Sequence, residues 1–364
     1  MQTILKFIID VLRSAISMLN SASAWMLFSF LVAGVVHEFV GPDKMKKSSI
    51  GSTKLSGLLW TTLTGMCLPI CSCGTIPLGI SMYYSGAYLG PTLTFMTSSP
   101  MINPIAIILS YGLLGPEITL IYVLTGFFGP LLIGLIGNRF AGEELYYKPA
   151  YEEKADGPKL NLVWQKPTVW QKIKTGVHWS FTELAVTISK YTVSGMLMAG
   201  VLFTVVPQSA ISRYLGDPGM VSLLGITVVA ALMYVCAVGH IPFIAALVAS
   251  GAAPGVAVTF LMAGCATNIA ELLTIRRTMG KRSMWMYSGL VILLSQIAGY
   301  ITNRLLRDFT PVLDYDAVTN SISSANALIV ETPDWLQFGC SMVLIGYACF
   351  AFIRWLKKQL AEEK

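Results

Sequence analysis

The chain has 364 residues, 54% hydrophobic and 12% charged, with a formal net charge of +6 and a mean hydropathy of +0.66. A soluble domain carries about a quarter charged residues, and the apolar runs match the roughly 20 residues a helix needs to cross a bilayer. This excludes a soluble enzyme. The positive charge requires no nucleic-acid partner, because the basic residues fall in short loops and at the C-terminus, as the positive-inside rule predicts.

Residues 1–21 read as an amphipathic interfacial helix, with Lys6, Asp10 and Arg13 inside an apolar run. No cleavage site is evident there, so a removable signal peptide is not expected. Residues 22–139 form a first membrane repeat, opening with a span over 22–40. A basic loop follows with Lys44, Lys46, Lys47 and Lys54, and a second span begins near Leu55. That span runs into Cys67-Leu68-Pro69-Ile70-Cys71-Ser72-Cys73-Gly74-Thr75-Ile76-Pro77, the stretch the other elements serve. Residues two apart do not share a helical face, so an unbroken helix would send Cys71 and Cys73 to diverging sides. Pro69, Gly74 and Pro77 mark an interruption instead. Thr75 ahead of Pro77 reads as the cap of a new helix. The amino end of that helix would turn its N–H groups on the thiols, favouring thiolates and bound anions. Two short pieces at 76–88 and 90–99, a break at Ser98-Ser99-Pro100, a segment through Asn103-Pro104 to Leu114, and a span over 117–139 complete the repeat.

Residues 140–182 form a polar linker rich in Glu and Lys. Apolar segments return at 183–206, 217–238, 240–264, 266–275 and 284–305, so residues 183–305 make a second repeat. An acidic loop, 306–334, precedes a terminal span and basic tail, 335–364. An offset of 165 residues lays Cys71 on Cys236, Gly74 on Gly239, Ile76 on Ile241 and Pro77 on Pro242. It also lays Ser85-Gly86-Ala87 on Ser250-Gly251-Ala252, and Gly90, Thr94, Phe95 and Asn103 on Gly255, Thr259, Phe260 and Asn268. Those are eleven identities where composition alone gives about two to four. The register continues through Gly115/Gly280, Tyr122/Tyr287, Gly134/Gly299 and Asn138/Asn303.

Charge gives the orientation. The loop after the first span of repeat one is lysine-rich, whereas its counterpart at 207–217 has Arg213 and Asp217. Conversely 111–117 has no basic residue, and its counterpart carries Arg276, Arg277, Lys281 and Arg282. Basic loops belong in the cytoplasm. The expected fold is therefore an all-α polytopic membrane protein: two inverted repeats with broken helices at the midplane, plus a C-terminal spanning helix. The linker and C-terminus fall inside and the acidic loop outside.

Seven cysteines in mostly apolar surroundings do not read as a disulfide framework. Cys340 and Cys349 read as packing residues. Cys71 and Cys73, with Cys236 and Cys265 in repeat two, are candidate ligands for a soft, thiophilic solute. Asn103 and Asn268 either cap freed backbone or also touch substrate. His240, in the place of Thr75, caps its helix or titrates. Gly74, Thr75, Ser99 and Gly239, beside these groups at the breaks, complete the candidate substrate-binding set. Glu271 is either a salt-bridge partner of Arg276 or Arg277 or a proton-coupling site. His37 and Glu38 read as interfacial. No P-loop occurs, and neither a cofactor nor a metal is expected.

Cys71-Ser72-Cys73-Gly74-Thr75-Ile76-Pro77, Ser85-Gly86-Ala87 and Ser98-Ser99-Pro100-Met101-Ile102-Asn103-Pro104 resemble the predicted permease family that includes organoarsenical efflux permeases. Repeat two departs from the pattern with Val238 for Cys73 and Cys265 for Pro100. The resemblance implies a multi-pass permease of a prokaryotic cytoplasmic membrane, with some relatives exporting trivalent organoarsenicals. The expected partners are the lipid bilayer and a small thiophilic or anionic solute. The alternative is a transmembrane thiol–disulfide conduit using Cys71 and Cys236, against which the lack of a redox-type C-x-x-C pattern argues.

Overall fold

Long apolar runs whose backbone cannot reach water have one local solution. The α-helix satisfies their N–H and C=O groups within the segment. The computed structural model describes residues 2–39, 51–68, 72–148, 168–205, 219–232, 236–249, 251–307 and 332–362, and among them every regular element is helical. The protein is an all-α polytopic membrane protein. Helices α1 (Gln2–Phe39), α2 (Leu55–Cys67), α3 (Ser72–Tyr84), α4 (Leu89–Met101), α5 (Pro104–Leu114) and α6 (Pro116–Phe140) come first. A 3₁₀ turn at Gly142–Leu145 follows. Helix α7 (Val169–Trp179) then passes through a π-helical turn at Ser180–Leu184 into α8 (Ala185–Val205). After it come α9 (Met220–Leu232), α10 (Ala237–Ala249), α11 (Pro254–Ala266), α12 (Ile269–Thr278), α13 (Lys281–Leu305) and α14 (Asp334–Glu362).

The 165-residue offset carries the ends of α2, α3, α4 and α6 onto those of α9, α10, α11 and α13, residue for residue. Contacts repeat as well as boundaries. Gly90 donates its N–H to Asn138 Oδ1 at 2.9 Å, and Gly255 donates to Asn303 Oδ1 at 2.6 Å. Thr94 donates to the Pro130 carbonyl and Thr259 to that of Ser295, both at 3.1 Å. Gly86 and Gly251, with φ of 92° and 99°, turn α3 into α4 and α10 into α11. A side chain is disfavoured at such angles, so the glycine makes each hairpin possible.

Four differences from the sequence expectation have physical causes. The interfacial helix and first span are one continuous helix, because nothing between residues 2 and 39 breaks it. Helix α3 begins at Ser72, not Thr75, and holds Pro77 inside it, as α10 holds Pro242. A proline costs its helix one hydrogen bond, which a protein-packed membrane helix tolerates. The segment expected over 240–264 is a hairpin, split at Gly251. The linker is helical from Val169, where the Thr168 hydroxyl and the Gln171 side chain form a reciprocal capping box. The basic loop at 41–50, linker residues 149–167, the repeat-two loop at 206–218 and the acidic loop at 308–331 lie outside the described residues.

The two central helices decide where the core sits. Every residue of α4 is buried, as is α11 from Gly255 to Ala266. The two pack on each other, α6 packs on α13, and each unit crosses to the other through α5 on α10 and α3 on α12. Among the described residues, four helical segments are long and apolar enough to span: Ala22–Phe39, Pro116–Phe140, Lys281–Leu305 and Asp334–Arg354. Helices α4 and α5, bent by 43°, and α11 and α12, bent by 41°, form two further broken spans or re-entrant elements. Trp60, Leu120, Phe128, Leu293 and Phe352 are exposed on the perimeter. An apolar perimeter suits lipid and would not suit water.

Candidate functional site

The two breaks are built alike. Asn103 precedes α5 in extended conformation and its Oδ1 accepts the Ala106 N–H at 2.8 Å; Asn268 precedes α12 and accepts the Glu271 N–H at 2.9 Å. The capping expected of both residues is present. Each cap satisfies one of the amides left open at a helix start. Both side chains are buried, so these starts sit inside the protein.

The second hairpin brings the chemistry together. Cys236 stands immediately before α10, and His240 reaches back to it. Its Nδ1 lies 3.2 Å from the Cys236 nitrogen and 3.0 Å from the Cys236 oxygen. The tautomer decides whether Nδ1 accepts the Cys236 N–H or donates to the Cys236 carbonyl, and His240 stands in the first turn of α10 rather than at its start. Ala237, the first residue of α10, donates its N–H to the side chain of Cys265. Among the described side chains, Cys265 thus faces a helix amino end, completely buried, near Cys236 and Glu271. A helix start carries about half a positive charge, so this position suits a thiolate or an anion. Tyr122, from α6 of the other repeat, lies near both thiols, and its hydroxyl donates to the Met101 carbonyl at the end of α4.

Glu271 occupies the first turn of α12 and is 1% exposed. The Tyr287 hydroxyl donates to Oε1 at 3.1 Å and the Asn268 amide donates to Oε2 at 3.2 Å. No cation lies within ion-pairing distance of it among the described residues, so the salt bridge to Arg276 or Arg277 is not formed. Arg277 lies near Tyr84 instead. A carboxylate this deep without a cation is costly to ionise, and its two donors hold it in one geometry. Tyr287 in turn meets the side chain of Thr97, from α4 of the first repeat.

Of the other sequence candidates, Gly74, Thr75 and Ser99 are buried in α3 and α4. Cys73 falls on the first turn of α3 and Gly239 on that of α10. Cys71 lies outside the described residues. Cys67 and Cys349 are exposed. Tyr122, Tyr287 and Thr97 escaped the sequence reading, although the identity of Tyr122 with Tyr287 across the repeat was a signal. Glu144 escaped it too. Expected in solvent, it accepts the Ser283 N–H at 2.6 Å and the Arg282 N–H at 3.2 Å, capping α13 from a distant turn. A side chain at Gly280 would come within 2.0 Å of that carboxylate. The same turn accepts the Tyr83 hydroxyl at the Glu144 carbonyl, 3.0 Å away. Beside it, His37 stacks on Trp179 with centroids 3.8 Å apart.

The chain matches a family described as a predicted permease over residues 8–304, which takes in both repeats and stops short of α14. It is 27% identical to a UPF0718 protein of Methanocaldococcus jannaschii, with 78% of this chain and 92% of that protein covered. A UPF0718 protein of Bacillus subtilis is 24% identical over 77% of this chain and 92% of its own length. A Streptococcus mutans protein named as a subunit of a two-component membrane permease complex is 20% identical, covering 78% and 91%. No solved structure matches the chain.

Proposed function

Because the chain belongs to the predicted permease family, we propose that it is a secondary-type permease moving a small thiophilic or anionic solute between its two repeats. Membership supports a membrane transporter over an enzyme, with lipid and a small molecule as its partners. The reading goes further on one observation: the amino end of α10 meets the buried thiol of Cys265 beside Cys236 and the carboxylate of Glu271. Thiols select soft ions and metalloids over hard cations, and a helix start adds affinity for negative charge. A trivalent arsenical fits both the chemistry and the family resemblance, with efflux from a prokaryotic cytoplasm as the direction. In this reading the C-terminus is cytoplasmic and the repeats are inverted.

Within the proposed site, Cys236 and Cys265 are the soft ligands, with Cys71 and Cys73 of the first repeat as their partners. Asn103 and Asn268 hold the broken ends while Gly74, Thr75, Ser99, Gly239 and His240 line the approach. Glu271 takes and releases the coupling proton. A growth-protection and everted-vesicle uptake panel of trivalent arsenicals, soft metals and sulfur oxyanions tests the reading. Uptake of a trivalent arsenical that disappears in Cys265→Ser and Cys236→Ser supports it. Uptake unaffected by either change refutes thiol ligation.

A further inference from the structure

Internal duplication provides a control for each residue of the site. Tyr122 and Tyr287 are fully buried and stand at equivalent places on α6 and α13. Tyr122 donates to the carbonyl of Met101, the last residue of α4 before its break. The residue equivalent to Met101 is Ala266, the last of α11. Tyr287 donates to Glu271 instead, at 3.1 Å. The residue equivalent to Glu271 is Ala106, so repeat one has no carboxylate to draw its tyrosine away. One phenol closes a break, and the same phenol in the other repeat is held off it by a side chain.

We infer that Tyr287 is the positioning residue through which Glu271 sets the break between α11 and α12, its phenol exchanging between the Glu271 carboxylate and the Ala266 carbonyl. The inference rests on Glu271 being the proton-coupling group. A hydrogen bond to a charged acceptor is about twice as strong as one to a neutral acceptor, so ionised Glu271 holds the phenol. Protonation places a hydrogen on the carboxyl oxygen, weakens that bond and returns the phenol to the Ala266 carbonyl, the arrangement repeat one keeps. The phenol retains its own proton throughout. Thr97 on α4 touches Tyr287, so the exchange is transmitted to the other repeat.

The groups packed around Glu271 leave this pair as the responsive element. Cys265 on α11 and Tyr287 on α13 are close enough to sense its charge. The neighbouring helices α8 and α3 carry Lys190, Tyr83 and Tyr84; neither tyrosine bonds to it, and Lys190 lies over Tyr191. On its own helix, Arg276 and Arg277 lie beyond ion-pairing distance.

The test is pH-difference infrared spectroscopy of the purified protein in lipid vesicles, which needs no transported solute. Wild type should show a protonated-carboxyl band appearing together with a tyrosine ring-mode change, and Glu271→Gln should remove both. Tyr287→Phe should remove the tyrosine change and move the midpoint of the carboxyl band by about one pH unit, the equivalent of one strong hydrogen bond. Tyr122→Phe, the symmetry control, should leave both signals in place. Loss of the carboxyl band in Glu271→Gln with an unmoved midpoint in Tyr287→Phe would overturn the exchange and leave Glu271 as the coupling group. A carboxyl band that persists in Glu271→Gln would overturn both.

Discussion

At the scale of single residues, the surroundings of Cys265 were not legible. C-x-C spacing draws attention to Cys71 and Cys73, whereas Cys265 shows nothing local beyond replacing Pro100. Its surroundings come from the fold, which lays the first amide of α10 on its side chain, and no sequence pattern reports a contact between segments 28 residues apart. The two asparagines were readable because capping is local. Glu271 was readable as a buried acid but not its partner Tyr287, since a salt bridge to nearby arginines was the simpler local reading. Cys265→Ser should abolish transport of a thiophilic solute with the protein still monodisperse and folded, measured by flux and size-exclusion chromatography. Glu271→Gln should abolish pH-gradient-driven transport while leaving solute binding intact, measured by flux and by equilibrium binding in detergent. Full proton-driven flux in that variant would return Glu271 to a structural role and make His240 the next candidate.

At the scale of elements, the duplication was the sequence's clearest message, and it extends to close approaches no side chain would survive. A Cβ on Gly134 would lie 2.0 Å from Thr94 Oγ1, and one on Gly299 2.0 Å from Thr259 Oγ1. Gly134→Ala and Gly299→Ala should therefore destabilise by similar amounts, about 1–3 kcal/mol for overpacking, read as equal drops in thermal midpoint. Gly34 and Gly176 meet backbone to backbone where α1 crosses α7, and a Cβ on either would lie within 2.4 Å of the other's carbonyl oxygen. Neither was visible beforehand, because that part of the linker read as solvent loop. Its charged residues are local facts, while the contact with α1 is not. Glu144→Ala should lower the thermal midpoint by the equivalent of about 1 kcal/mol, the usual cost of a lost helix cap, since the α13 amides lose their acceptor. An unchanged midpoint would show that water replaces the carboxylate at no cost.

At the scale of the whole molecule, the repeats meet through α4 on α11 and α6 on α13, and Tyr122, Cys265, Asn268, Glu271 and Tyr287 lie on or beside those helices. The described residues at this centre are closely packed, so the permease proposed above would hand its solute across by alternate opening to the two sides. The charge asymmetry on which the proposed inversion rests is a matter of composition and is therefore readable from the sequence. The hairpin at Gly251 was harder, because a short apolar run does not reveal whether it folds back. Labelling single cysteines placed at Lys54 and Arg282 should find both on the cytoplasmic side; labelling from opposite sides would contradict inversion. The most direct test of a solute pathway between the repeats is the reactivity of Cys265 itself. A variant with the other six cysteines replaced by serine, reconstituted in vesicles, is treated with a membrane-impermeant maleimide from inside or from outside. The account predicts modification from both sides, in proportions that shift with the pH gradient. A Cys265 that reacts from one side alone, or from neither, whatever the gradient, would contradict it.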